Sequence, residues 1–153
     1  MPGYLIVFLT AMVPIIELRG AIPLGFAMGL PPETIFLWAF IGNLLPCFFI
    51  LLFLDPVSIF LMKHSRFFNK FFTKLFNNTR TKHHSSIQKW GTPFLIIFVS
   101  IPLPGTGAWT GCLLAFLFGI KFWKAIACCA LGIAIADLLV TLSLAGILSI
   151  RFI

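Results

Sequence analysis

PIIELRGAIPLG, Pro14 to Gly25, interrupts a long apolar run with two charges, Glu17 and Arg19, and two prolines, Pro14 and Pro23. The arm before it, residues 4–13, would span roughly 15 Å as a helix at about 1.5 Å per residue. That is about half of a bilayer hydrocarbon core of about 30 Å. There the chain meets Pro14, Glu17, Arg19, Gly20 and Pro23, and a second short apolar arm follows over residues 21–29. Irregular backbone at membrane depth is tolerated only where protein buries it or it lines a wet cavity. The stretch therefore predicts a re-entrant helical hairpin over residues 4–29, with its charges at the tip.

The whole chain supports a bilayer as the solvent. Of its 153 residues 60% are hydrophobic and only 10% are charged, against about 25% charged in soluble domains; mean hydropathy is +1.09. A water-soluble fold could not cover that much apolar side chain, so the chain reads as a membrane protein. The net charge of +7 is concentrated, with nine of the eleven Lys/Arg falling between Lys63 and Lys124. In a membrane protein that cluster reads as a cytoplasmic loop facing anionic lipid, not as a nucleic-acid surface. Cys47, Cys112, Cys128 and Cys129 lie in apolar segments without C-x-x-C spacing and read as small core residues. His83 and His84 are adjacent, cannot both face one metal from a helix, and read as part of a solvated loop. Met1-Pro2-Gly3 carries no basic region of the signal-peptide type.

Working outward, four apolar segments cover residues 4–29, 34–54, 92–119 and 125–150. Hydropathy alone predicts four spanning helices. Residues 34–54 and 125–150 fit that description: the first has no charge and should stop at Asp55-Pro56, the second is interrupted only by Asp137. Residues 92–119 repeat the plan of the first hairpin, with an arm over 94–101, a break at Pro102-Leu-Pro-Gly-Thr-Gly107, and an arm over 108–119. The halves share further spacing. Gly29 and Gly42 stand thirteen apart, as do Gly119 and Gly132 after the second hairpin. Gly25-x-x-x-Gly29 and Gly107-x-x-x-Gly111 read as small-residue packing faces.

The predicted fold is an all-α integral membrane protein. It is an inverted repeat of a re-entrant hairpin plus one transmembrane helix, with a cytoplasmic amphipathic helix between the halves. The first repeat covers residues 1–54, the basic loop 55–91 and the second repeat 92–153. Seven Lys/Arg put the loop on the cytoplasmic side of a prokaryotic inner membrane, and a second hairpin returning to that side puts Lys121 and Lys124 there too. Four full spans would put those lysines outside. In the hairpin arrangement both termini lie outside. Within the loop, Phe67, Phe68, Phe71, Phe72 and Leu75 fall on one helical face and Lys63, Arg66, Lys70 and Lys74 on another, the pattern of an interfacial helix. Residues 77–86 read as a polar, flexible link.

Ionisable groups inside a bilayer are costly and are functional candidates by default. Here they are Glu17, Arg19 and Asp137, with Asn43 as an uncharged polar addition. Arg19 is the sole intramembrane cation available to Asp137. Either Glu17 or Asp137 could exchange a proton, or the three could form a buried ion-pair network that pins the hairpin. The second break has no charge and offers backbone: a half-helix opening at Gly105, Thr106 and Gly107 aims free N–H groups and a positive dipole end at the midplane. Thr106 adds a hydroxyl, and Trp109 could stack on an apolar or cationic group. With Arg19 that set suits an anionic head such as phosphate. Glu17 and Asp137 with Trp109 suit a cation or a proton. A glycine-rich turn serving only close packing is the plainer alternative.

The two stretches PIIELRGAIPLG (14–25) and PLPGTGAWTG (102–111), joined by a basic loop, resemble the small multidrug export protein family of prokaryotic membrane proteins. That family in turn resembles the DedA/VTT superfamily, whose members carry two inverted re-entrant hairpins and of which some are implicated in moving polyprenyl-phosphate or phospholipid across bilayers. The resemblance implies a membrane-embedded transporter and points to Glu17, Arg19 and Pro23 in the first hairpin and Pro104, Gly105 and Gly107 in the second. DedA-type second hairpins carry an arginine after their Pro-Gly, where this chain has Thr106 and Gly107.

The sequence thus predicts a small proton-coupled transporter acting on a small molecule or a lipid phosphate at the midplane between hairpin tips, as a homodimer. A DedA-like flippase or scramblase and a non-transporting membrane scaffold are the competing readings. No nucleophile–base pair, metal-ligand set or cofactor motif points to an enzyme.

Overall fold

The protein is described by a computed structural model over residues 2–77, 84–103 and 106–151. Seven helices make up the regular structure of these residues: α1 (Gly3–Met12), α2 (Glu17–Ala27), α3 (Pro32–His64), α4 (Arg66–Phe76), α5 (His84–Ser100), α6 (Ala108–Leu117) and α7 (Phe122–Arg151). Two of them, α3 and α7, are long and apolar enough to cross a membrane, with mean hydropathy 2.3 over their most apolar windows.

Local sequence explains most boundaries. α1 ends at Met12 because Val13 precedes a proline, and it takes the extended conformation (φ −74°, ψ 126°) that proline imposes on its neighbour. α2 and α6 end alike. Gly29 and Gly119 are left-handed (φ 71° and 68°). Leu30 N–H reaches Gly25 C=O at 3.2 Å and Gly29 N–H reaches Phe26 C=O at 3.0 Å; Ile120 to Ala115 and Gly119 to Phe116 repeat both bonds at 3.0 Å. This pair of bonds around a left-handed glycine closes a helix and turns the chain sharply. Pro31, extended, then places Pro32 in the first turn of α3, where its missing N–H costs nothing.

The two halves therefore run short helix, break, short helix, glycine turn, long helix, and from the second short helix onward their glycine turns and most of their buried positions align at an offset of 90. Ile35, Ala39, Gly42, Asn43, Cys47 and Leu51 are the buried stripe of α3, and Ala125, Cys129, Gly132, Ile133, Asp137 and Thr141 the buried stripe of α7. α1 packs on α2 and α3, α5 on α6 and α7, and the long helices pack on each other. Each long helix uses its glycine for the closest approach. A Cβ at Gly42 would strike the Phe8 carbonyl of α1, and one at Gly132 would lie 2.6 Å from Val99 Cβ of α5. Tyr4 stacks on Trp38 at 5.1 Å between centroids, with Phe8 edge-on at 5.9 Å, and this seats α1 on α3.

Several boundaries differ from the sequence reading. α3 does not stop at Asp55-Pro56 but runs through Pro46 and Pro56 to His64. A helix that continues past a proline gives up one hydrogen bond, whereas ending in an apolar setting exposes several backbone groups. Side chains next to each proline also engage the local backbone, with Cys47 Sγ donating to Asn43 C=O at 3.3 Å and Ser58 Oγ to Asp55 C=O at 2.8 Å. α2 starts at Glu17 and carries Pro23 inside it, so Pro14 breaks the chain and Pro23 does not. Gly29 is a turn glycine with open space where a Cβ would stand, not a packing position. α5 begins at His84, so residues 84–86 are helical and not a link; residues 78–83 of that predicted link lie outside the described ones. α4 forms where the amphipathic pattern predicts it, with Phe67, Phe71 and its cations exposed.

Candidate functional site at the meeting of the two breaks

The turn after α1 is tight. Ile16 N–H and Glu17 N–H both return to Val13 C=O, at 3.2 and 2.9 Å. Glu17 opens α2 in a left-handed conformation, φ +48°, the sole non-glycine among the described residues with positive φ. Such a conformation costs an L-residue about 1–2 kcal/mol and persists only where surroundings enforce it.

The enforcing partner is the other break. The Glu17 side chain is 5% exposed, and its carboxylate accepts hydrogen bonds from the backbone N–H groups of Trp109 and Ala108. These are the first two residues of α6, whose N-cap is Gly107. A helix N-terminus presents free N–H groups and a partial positive charge. Normally a nearby side chain of the same helix supplies the acceptor; here a carboxylate from the opposite half of the chain does. Gly107 makes the approach possible: a Cβ there would run into the Glu17 carboxyl group. Its backbone is extended (φ −109°, ψ −173°), so the glycine serves space and not conformation.

Arg19 makes the second tie. Its Nη2 donates to Thr106 C=O at 2.9 Å and lies 3.5 Å from Thr106 Oγ1. Thr106 is itself braced by its loop: Oγ1 lies 2.7 Å from Ile101 C=O and 2.9 Å from Leu103 C=O, and accepts from Leu103 N–H at 3.3 Å. Glu17 and Arg19, two residues apart in the first turn of α2, thus grip the start of α6 and the residue two before it. We call this two-point contact the latch.

Glu17, Arg19, Thr106, Gly107 and Trp109 are brought together. The free N–H groups expected at Gly105–Gly107 are those of Ala108 and Trp109, because α6 begins at Ala108; Pro104 and Gly105 lie outside the described residues. Ala108 escaped the sequence reading because it contributes a main-chain N–H, which any residue carries. Pro23 sits within α2 and touches the site through geometry alone: lacking an N–H, it leaves Arg19 C=O without its usual helical donor. Arg19 turns to Thr106, not to Asp137, its expected partner.

Asp137 and Asn43 are fully buried on α7 and α3, without a hydrogen bond to the latch. Asp137 Oδ1 lies 3.4 Å from Thr141 Oγ1, while Asp137 Oδ2, Asn43 Oδ1 and Trp109 Nε1 have no partner among the described residues. Buried polar atoms are ordinarily paired, so these three, one each on α3, α6 and α7, are polar groups whose partners the described residues do not supply.

No curated protein and no solved structure matches the chain. The profile of the family described as "Putative small multi-drug export protein" matches residues 17–139, from the latch carboxylate through the second break to just past Asp137, and the chain belongs to that family.

Proposed function

We propose that the chain is a small proton-coupled membrane exporter in which the latch is the gate. Residues 4–29 and 92–119 act as re-entrant hairpins entering from opposite faces, α3 and α7 span the bilayer, and the basic loop between the halves faces the cytoplasm. The arrangement of broken helices meeting at depth is the layout of secondary transporters. Family membership and two membrane-length apolar helices support transport across a membrane. The single observation that carries the gate is the buried Glu17 carboxylate, held in left-handed backbone by N–H groups of the other half.

A proton on Glu17 removes the charge that the start of α6 attracts, and bonds to a neutral acceptor are about half as strong as those to an ionised one. Release of Glu17 also frees its strained backbone, so protonation and strain act in the same direction. Opening exposes an anion-seeking helix end, Arg19 and the indole of Trp109 to whatever occupies the path. Asp137, with one unpaired oxygen, is the second candidate proton carrier.

The test is efflux from proteoliposomes loaded with a cationic dye such as ethidium, with and without a pH gradient. Wild-type protein should move dye in a gradient-dependent way, and Glu17→Gln should lose the gradient dependence while remaining folded by its thermal midpoint. Dye movement indifferent to the gradient in wild type, or retained gradient response in Glu17→Gln, would reject Glu17 as the coupled gate. Movement of a polyprenyl phosphate in place of dye, lost in Arg19→Ala, would assign the site to lipid phosphate.

A further inference from the structure

Beside the latch, both breaks are bare. Val13, Pro14, Ile15 and Ile16 are consecutive exposed residues, with Ile15 90% exposed, and Ile101, Pro102 and Leu103 are exposed on the second break. The two segments adjoin: Arg19 binds Thr106 C=O at 2.9 Å, and Thr106 Oγ1 lies 2.7 Å from Ile101 C=O and 2.9 Å from Leu103 C=O.

Backbone and side chains of this surface call for different surroundings. Val13 C=O accepts from Ile16 and Glu17 N–H, and Ile16 C=O from Gly20 N–H. The N–H and C=O of Ile15, the C=O of Pro14 and the C=O of Pro102 make no hydrogen bond among the described residues. At the membrane depth proposed above for the hairpins, on which this inference rests, lipid can supply none of those bonds. Water could supply them, but it would then wet the exposed aliphatic side chains of Val13, Ile15, Ile16, Ile101 and Leu103. Another protein surface can meet both needs.

The free groups point to which protein. Ile15 carries one free donor and one free acceptor on the same residue. A two-fold interface sets the same patch on both subunits against itself. Two Ile15 backbones can therefore exchange N–H···O=C bonds, as a hydrogen-bonded pair of antiparallel strands does. A different partner would have to bring a matching donor and acceptor, whereas a second copy already has them.

We propose that a second copy of this chain covers the breaks, with a two-fold axis beside Ile15 and the aliphatic side chains of residues 13–16 and 101–103 packed between the copies. Ile16 precedes Glu17 directly, so each latch opens onto the interface and the partner copy walls the gate.

The test uses the full chain in proteoliposomes, oxidised with copper phenanthroline and read as covalent dimer on a non-reducing gel. Paired backbones of this kind stand about 5.5 Å apart between Cα atoms, within the span of a disulfide. Ile15→Cys should crosslink at least about tenfold faster than Leu142→Cys, an exposed position on α7, because a held pair reacts without a search. Dilution with lipid should leave the rate at Ile15→Cys unchanged. Wild type, whose four cysteines are buried, should give no covalent dimer, and single-molecule photobleaching should count two copies of it. If Ile15→Cys lowers the thermal midpoint, Leu103→Cys and the wild-type count decide the question.

A rate at Ile15→Cys no greater than at Leu142→Cys, a rate that falls with dilution, or a wild type that bleaches in one step would overturn the proposal. Labelling of Ile15→Cys by a membrane-impermeant maleimide in intact proteoliposomes would overturn it as well, and the depth of the hairpin with it. Neither crosslink nor labelling would put lipid on the break and leave the hairpin at depth. One-step bleaching with gradient-dependent efflux would remove the second copy and keep the Glu17 gate.

Discussion

Replacing Glu17 by alanine and by glycine separates the two things that residue does. Both substitutions remove the carboxylate that caps α6. Loss of a helix cap costs about 1 kcal/mol in ordinary settings, and loss of bonds to an ionised acceptor in a buried place about 1.5–3 kcal/mol. Both variants should therefore fall below wild type, by roughly 1–3 kcal/mol. They differ in the backbone. With φ at +48°, alanine retains the left-handed penalty of about 1–2 kcal/mol, while glycine adopts that conformation freely. At a regular helical site the order is the reverse, with glycine about 1 kcal/mol worse than alanine. Position 17 is the first residue of α2, where helix propensity weighs least. Glu17→Gly should thus be more stable than Glu17→Ala by about 1 kcal/mol, or roughly 2–4 °C in thermal midpoint for a chain of this size. Intrinsic tryptophan fluorescence during heating in detergent reads the difference, since Trp109 sits at the contact. If alanine matched or exceeded glycine, position 17 would not be held left-handed, and the latch would not be a strained gate.

Gly132→Ala should cost about 1–3 kcal/mol by overpacking, because its Cβ would lie 2.6 Å from Val99 Cβ and 3.0 Å from Ile96 C=O. Gly146→Ala, with nothing within 4 Å, should be neutral or gain up to about 1 kcal/mol; thermal midpoints of the pair check both. Gly29→Ala meets no neighbour but must adopt φ 71°, so it should lose about 1–2 kcal/mol, and Gly29→Asn should lose less. Arg19→Ala and Glu17→Gln should be non-additive by about 0.5–3 kcal/mol in a double-mutant cycle, since both hold the same end of α6; strict additivity would mean two independent contacts.

The breaks were legible because charges and a proline-led turn have no place inside an uninterrupted apolar span. The glycine spacing was legible too, and its counterpart is the pair of left-handed turns at Gly29 and Gly119 and the pair of close approaches at Gly42 and Gly132. What could not be read has a common cause: the deciding groups are backbone. Arg19 is satisfied by Thr106 C=O and Glu17 by the N–H groups of Ala108 and Trp109, and main-chain groups carry no residue signature. The positive φ of Glu17 is likewise invisible, because Gly20 three positions later is the residue that propensity would nominate for it. Pro23 and Pro56 misled for a different reason. The rule that proline ends helices is calibrated in water, which receives the freed carbonyls, and an apolar surrounding raises the cost of ending the helix instead.

The offset of 90 also accounts for the unequal chemistry of the two breaks. Glu17 and Gly107 occupy equivalent positions of the two halves, each at the start of the second short helix. They face each other so closely that a single added carbon at 107 would displace the carboxylate. A carboxylate at both positions would set two like charges against one another where only one helix end is offered to each, and glycine at both would leave both ends uncapped. The contact is stable only when one half supplies the anion and the other the space. The latch is therefore directional: Glu17 and Arg19 reach out, and Thr106 to Trp109 receive. Exchanging the pair, Glu17→Gly with Gly107→Glu, should restore a cap, now on α2, and with it part of the stability that either single change loses. Failure of the exchange to recover anything over Gly107→Glu alone would show that the left-handed backbone at 17, and not the pairing of anion with empty space, is what positions the halves.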